Sequence, residues 1–129
     1  MKLFLKYWKT VLLTLVVIIV SSMPGNKVDE IKFIDFPHAD KIVHFAMYFS
    51  LTFVLIYEFI INFGIKKIRK IKLFSFVYCL ILGILLELVQ KFLIIERNLD
   101  LFDLLANIAG IFCCIILFNM LFKVLKYHQ

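Results

Sequence analysis

Glycine and proline are scarce: the chain has four of one and two of the other in 129 residues. A transmembrane barrel needs many chain reversals and strands that alternate in polarity, and neither pattern is present. Acidic side chains are also few, nine against fifteen basic ones. Polar surface is short in general. Hydrophobic residues make up 64% of the chain, against about 45–50% in a soluble domain, so too little polar surface remains to cover a water-soluble ball. The three cysteines, Cys79, Cys113 and Cys114, lie inside apolar runs with neither metal-ligand nor disulfide-framework spacing. They read as small hydrophobes. No internal repeat is present.

What is abundant is long apolar sequence rich in phenylalanine (15 residues). Four runs, roughly 7–23, 41–63, 73–95 and 101–122, approach the ~20 residues that a helix needs to cross a bilayer. The first is the shortest, and with Lys2, Lys6 and Lys9 before it and Val20-Ser21-Ser22 after it, it also matches a cleavable leader. An uncleaved helix is the preferred expectation.

The net charge of +6 does not point to nucleic acid, because the basic residues cluster at the ends of apolar runs. Three segments are basic: the N-terminus, the connection GIKKIRKIK (Lys66, Lys67, Arg69, Lys70, Lys72), and the tail with Lys123 and Lys126. Positive residues stay cytoplasmic. The connections from Pro24 to Lys41 and from Glu96 to Asp103 mix both signs and belong outside. Only an even number of helices satisfies every connection. The expected fold is therefore all-α: one four-helix transmembrane domain over residues 1–129, with both termini cytoplasmic.

Polar residues inside the runs form stripes. Asp40, His44 and Tyr48 recur every four residues, with Lys41 three before His44. Gly83, Glu87 and Gln90 follow at intervals of four and three. Asp100, Asp103, Asn107 and Gly110 follow at three, four and three. Alternating topology brings all three stripes to the outer half of the membrane, within ~5–10 Å of its surface by helical rise. Arg97 lies just outside. Glu58, Asn62 and Asn119 fall near the cytoplasmic end, where Glu58 is expected to pair with the basic connection.

These residues resemble the VanZ-like family of small membrane proteins. The likeness rests on SSMP (Ser21 to Pro24), DKIVHFAMYFSL (Asp40 to Leu51), GILLELVQ (Gly83 to Gln90), Arg97 and DLFDLLANIAG (Asp100 to Gly110), in the family's order and spacing. The proline that the family carries before the arginine is replaced by IIERN. The resemblance implies a bacterial plasma-membrane protein of the cell envelope, a link to teicoplanin susceptibility, and no settled biochemical activity. Matched position by position, it implies a site of Asp40, Lys41, His44, Glu87, Gln90, Arg97, Asp103 and Asn107.

Four readings of that cluster compete. It is a polar clasp in which Lys41 and Arg97 neutralise the acids and the amides bond across helices. Alternatively it is an enzyme or binding site for a lipid or envelope-precursor head group. In that case His44, Glu87 and Asp103 are the candidate catalytic groups, and Asp40, Lys41, Gln90, Arg97 and Asn107 the ligand-binding ones. No serine or cysteine nucleophile accompanies them. A metal site at His44, Glu87 and Asp103 is the third reading; a lone histidine without an HxxxH pair argues against it, so no metal or cofactor is expected. The last is a scaffold or subunit for another membrane protein. The bilayer is the expected partner throughout, and no nucleic acid is expected. In a cysteine-free background, a cysteine placed by Lys67→Cys should react with impermeant maleimide only from the cytosolic side, and one placed by Asp35→Cys only from outside.

Overall fold

The computed structural model describes residues 6–22, 39–93 and 101–127. Residues 23–38 and 94–100, most of the two connections expected outside, are not among the described residues; Arg97, Asp100, Pro24, Pro37 and His38 fall within them, and His128 is not described either. Helix α1 is Trp8–Ser21 and α2 is Ala39–Phe63. A single 3-10 turn, Ile65–Lys67, leads into α3, Ile68–Leu93, and α4 is Leu101–Tyr127. The fold is an all-helical bundle, as expected.

Three helices are long and apolar enough to cross a membrane. Their outward faces carry residues such as Leu73, Phe92, Phe102 and Met120, all well exposed. A surface of that kind is matched to hydrocarbon rather than water. Helix α1 has 14 residues, about 21 Å by rise, which is short of the ~30 Å hydrocarbon core.

Helix α3 starts five residues earlier than the apolar pattern predicts. Lysine and arginine are good helix formers and can extend their charged ends to the interface, so charge does not end a helix there. The break falls instead at Gly64, whose φ of 80° is open to glycine and strained for other residues. Helix α4 likewise runs past the expected end at 122, to Tyr127.

Cross-helix pairs set the directions. His44 meets Asn107 and Phe53 meets Phe118, so α2 and α4 run parallel. Thr52 meets Cys79, and Tyr48 lies beside Gly83, so α3 runs antiparallel to α2. Thr14 meets Tyr78 and Ser21 meets Gln90, so α1 runs with α3. One end of the bundle therefore gathers Lys6, Lys9, the basic turn, Lys72 and Lys123. The other gathers Asp40, Lys41, His44, Glu87, Gln90, Asp103 and Asn107. That sorting is what the positive-inside rule requires of alternating helices.

Helix α2 is central and touches the other three, α4 most extensively. The core forms two apolar clusters along it. One is Val17, Tyr48, Leu51, Cys79, Leu86 and Ile111. The other is Ile56, Ile71, Cys114 and Phe118. Gly110 lets α4 lie directly on α2: a Cβ there would stand 2.4 Å from the Phe45 carbonyl oxygen and 3.0 Å from the Phe49 nitrogen. Small residues permit such approaches between membrane helices.

Glu58 does not pair with the basic connection. It is buried, and its carboxylate accepts from the backbone N–H of Lys9 (3.2 Å) and Thr10 (3.1 Å) and from the Thr10 hydroxyl (2.7 Å). These are first-turn donors of α1, which have no intrahelical acceptor, at the positive end of that helix's dipole. They hold a carboxylate in fixed geometry, whereas a lysine on the basic turn sits in water.

Gly110→Ala should destabilise the detergent-solubilised protein by about 1–3 kcal/mol or more, because the backbone of α2 cannot yield. Gly83→Ala should cost under about 1 kcal/mol, since its new methyl would meet only Tyr48 and Asn107 side-chain atoms at 3.4–3.5 Å. Graded unfolding in SDS would rank the two. Glu58→Ala should release α1 first, seen as early proteolysis within residues 8–21.

Candidate functional site

The site is built at the acidic end of the bundle by stripes on α2, α3 and α4. Helical spacing places Asp40, Lys41, His44 and Tyr48 on the inward face of α2. It places Glu87 and Gln90 on α3, and Asp103 and Asn107 on α4. Exposure falls inward. The side chain of Asp40 is 43% exposed and that of Lys41 24%, while His44 and Asp103 keep 6% each. Glu87, Gln90 and Asn107 are buried as well.

Lys41 bridges the mouth. Its Nζ donates to Asp40 Oδ2 at 3.0 Å and to Asp103 Oδ1 at 3.3 Å. The second bond ties α2 to α4. One turn deeper, His44 Nδ1 lies 3.1 Å from Asn107 Oδ1. An amide oxygen only accepts, so Nδ1 carries the proton and donates. The opposite nitrogen, Nε2, faces Asp103 Oδ2 at 3.8 Å, beyond hydrogen-bond length. Glu87 completes this level from α3: one ligating atom each from His44, Glu87 and Asp103 lie within 4.8 Å of one another.

Gln90 is used differently. Its Nε2 donates to the backbone carbonyl of Ser21, the last residue of α1. Carbonyls at a helix C-terminus lack intrahelical donors. Helix α1 is thus held at its two ends by side chains of its neighbours, Glu58 at the start and Gln90 at the finish. Nothing in the α1 sequence pointed to the Gln90 contact beyond the unmet carbonyls that any helix end carries.

Tyr48 sits below His44 on the same face. Its side chain is 1% exposed, and its hydroxyl has no hydrogen-bond partner among the described residues. The Tyr48 stripe position was readable from the sequence, but this unmet hydroxyl was not, because it depends on what α3 and α4 place opposite. Of the eight residues singled out by sequence, the structure joins six, Asp40, Lys41, His44, Glu87, Asp103 and Asn107, and gives Gln90 at the same end to α1 instead. Arg97 lies outside the described residues.

The arrangement can bind a cation between an imidazole nitrogen and two carboxylates, move a proton at His44, or hold an anion at Lys41. Comparison with protein-family models, curated proteins and solved structures returns no match. What the site does is therefore argued from its own chemistry.

A double-mutant cycle on Lys41 and Asp103 should give a coupling of about 1–3 kcal/mol. The cycle on Lys41 and Asp40 should stay below about 1 kcal/mol, because water screens the more exposed partner. Unfolding midpoints in detergent would measure both.

Proposed function

We propose that this chain is a VanZ-like membrane protein of the bacterial cell envelope whose outer polar cluster engages the phosphorylated head group of a lipid or lipid-linked envelope precursor. On this reading it thereby alters susceptibility to glycopeptide-type antibiotics. The observation that carries the reading is the unequal burial of ionisable groups, three at one end among the described residues against Glu58 alone at the other. His44, Glu87 and Asp103 are buried together, with Lys41 half-exposed above them. Each such group costs on the order of 2.5–3.5 kcal/mol to insert at membrane depth. A fastening needs far fewer of them, and it needs them no more at one end than at the other.

Lys41 is the cation at the mouth and the natural contact for a phosphate oxygen, as a point charge with three donors. Binding would draw its ammonium away from Asp40, the more exposed of its two partners. His44 lies one turn below, where an imidazole can exchange a proton with a bound head group. The motif resemblance around Asp40–Leu51 and Asp100–Gly110 supports the family assignment and the link to envelope-acting drugs.

A second reading has its own observation. Gln90 is engaged by Ser21, and Asn107 by His44. Such bonds fasten helices, which is what a non-catalytic scaffold or subunit would use them for.

The two readings separate in nanodiscs. Lys41→Gln should weaken binding of a polyprenyl phosphate about tenfold or more in protein that is still folded, although the lost bond to Asp103 lowers its melting temperature. His44→Gln should abolish any change in teicoplanin susceptibility that expression of the wild type produces. Variants that lose stability while binding persists at wild-type strength would leave the scaffold reading in place.

A further inference from the structure

We propose that His44, Glu87 and Asp103 form a binding site for one divalent transition-metal ion of the zinc or manganese type. The proposal uses the same cluster as the head-group reading but does not depend on a lipid.

The first argument is the tautomer. Asn107 Oδ1 takes the proton-bearing Nδ1 of His44 at 3.1 Å. In the neutral ring, Nε2 then presents a lone pair, and it faces a carboxylate oxygen of Asp103 at 3.8 Å. Two lone pairs aimed at each other across a buried gap repel unless a cation lies between them or the ring carries a second proton. A hydrogen bond would draw the atoms to about 3 Å. Two ligands of one metal at bonds of ~2.0–2.2 Å stand up to ~4 Å apart. The Nδ1 contact is also the arrangement that metal-ligating histidines use, with the far nitrogen donating to a fixed acceptor.

The second argument is how the oxygens are divided. Lys41 takes Oδ1 of Asp103, leaving Oδ2 on the side of His44. A ligating atom of Glu87 arrives from α3, and the three ligating atoms lie within 4.8 Å of one another. Around a tetrahedral ion with bonds of ~2.0–2.2 Å the ligating atoms would draw together to about 3.3–3.6 Å. One nitrogen and two carboxylate oxygens suit zinc, manganese or iron(II) and leave coordination positions open. The absence of an HxxxH pair is no obstacle, because each ligand comes from a different helix.

The third argument is independent of the acids. The buried Tyr48 hydroxyl, unpartnered among the described residues, lies 3.4 Å from the point where a Cβ on Gly83 would stand, and Asn107 Nδ2 lies 3.5 Å from the same point. A buried, unmet hydroxyl near an amide is the kind of group that the water shell of a bound ion satisfies.

The test is elemental analysis of the full chain purified without chelator, then stripped and titrated with Zn²⁺ or Mn²⁺ by calorimetry. About one ion per chain is expected, with a melting temperature that falls on chelation and recovers on adding the ion back. Glu87→Gln and Asp103→Asn, which keep side-chain shape, should each weaken binding about tenfold or more, and Asn107→Leu should do so by about 10–100-fold through the ring orientation. Glu58→Gln, at the other end of the bundle, should bind as the wild type does. Wild-type protein that carries no stoichiometric metal and takes up neither ion would overturn the proposal, whatever the variants do. So would undiminished binding in Glu87→Gln and Asp103→Asn. Metal retention without polyprenyl-phosphate binding would sustain this site and sink the head-group function; lipid binding by metal-free protein would do the reverse.

Discussion

Contact between the backbones of α2 and α4 at Gly110 sets the register on which the polar cluster depends. With no side chain at position 110, α4 lies against the Phe45 carbonyl. Phe45 follows His44, and Gly110 is one turn beyond Asn107, so the same contact that joins the helices brings His44 to Asn107 and Lys41 to Asp103. A bulkier residue would separate the helices where those bonds must form. In hydrocarbon there is no water to replace them, and a separated stripe leaves ionisable groups without partners.

The bundle manages its polar groups in two ways at its two ends. At the basic end, the described lysines and Arg69 are mostly exposed and reach toward the interface, and the one acid, Glu58, is spent on the first turn of α1. At the acidic end, the groups turn inward and partner one another across three helices. The short α1 depends on both ends, because its 14 residues bury little by themselves. Its unmet N–H groups find Glu58 and its unmet carbonyl finds Gln90.

The inward cluster is also where binding chemistry is concentrated. Fastening alone explains Gln90 and part of Lys41. It accounts for the facing of His44 and Asp103 only with a doubly protonated ring, and it leaves unexplained a buried tyrosine hydroxyl with no described partner. A cation between the imidazole and the carboxylates accounts for both observations. A phosphorylated head group above Lys41 is compatible with it, since an ion below and an ammonium above are both attractive to phosphate.

The sequence by itself determined the helical class, the apolar spans, the placement of charge at one end, and six residues that meet in space, among them His44, Glu87 and Asp103. These follow from helical periodicity and from the cost of charge in hydrocarbon, which act on local pattern and chain order. It placed the start of α3 too late, because charge ends an apolar run without ending a helix. Tertiary structure alone decided that Glu58 and Gln90 secure α1, that Asn107 orients the His44 ring, and that the Tyr48 hydroxyl is left unmet. Those outcomes turn on which atoms of different helices come within about 3 Å, and that depends on the close approach at Gly110 rather than on any spacing within one helix.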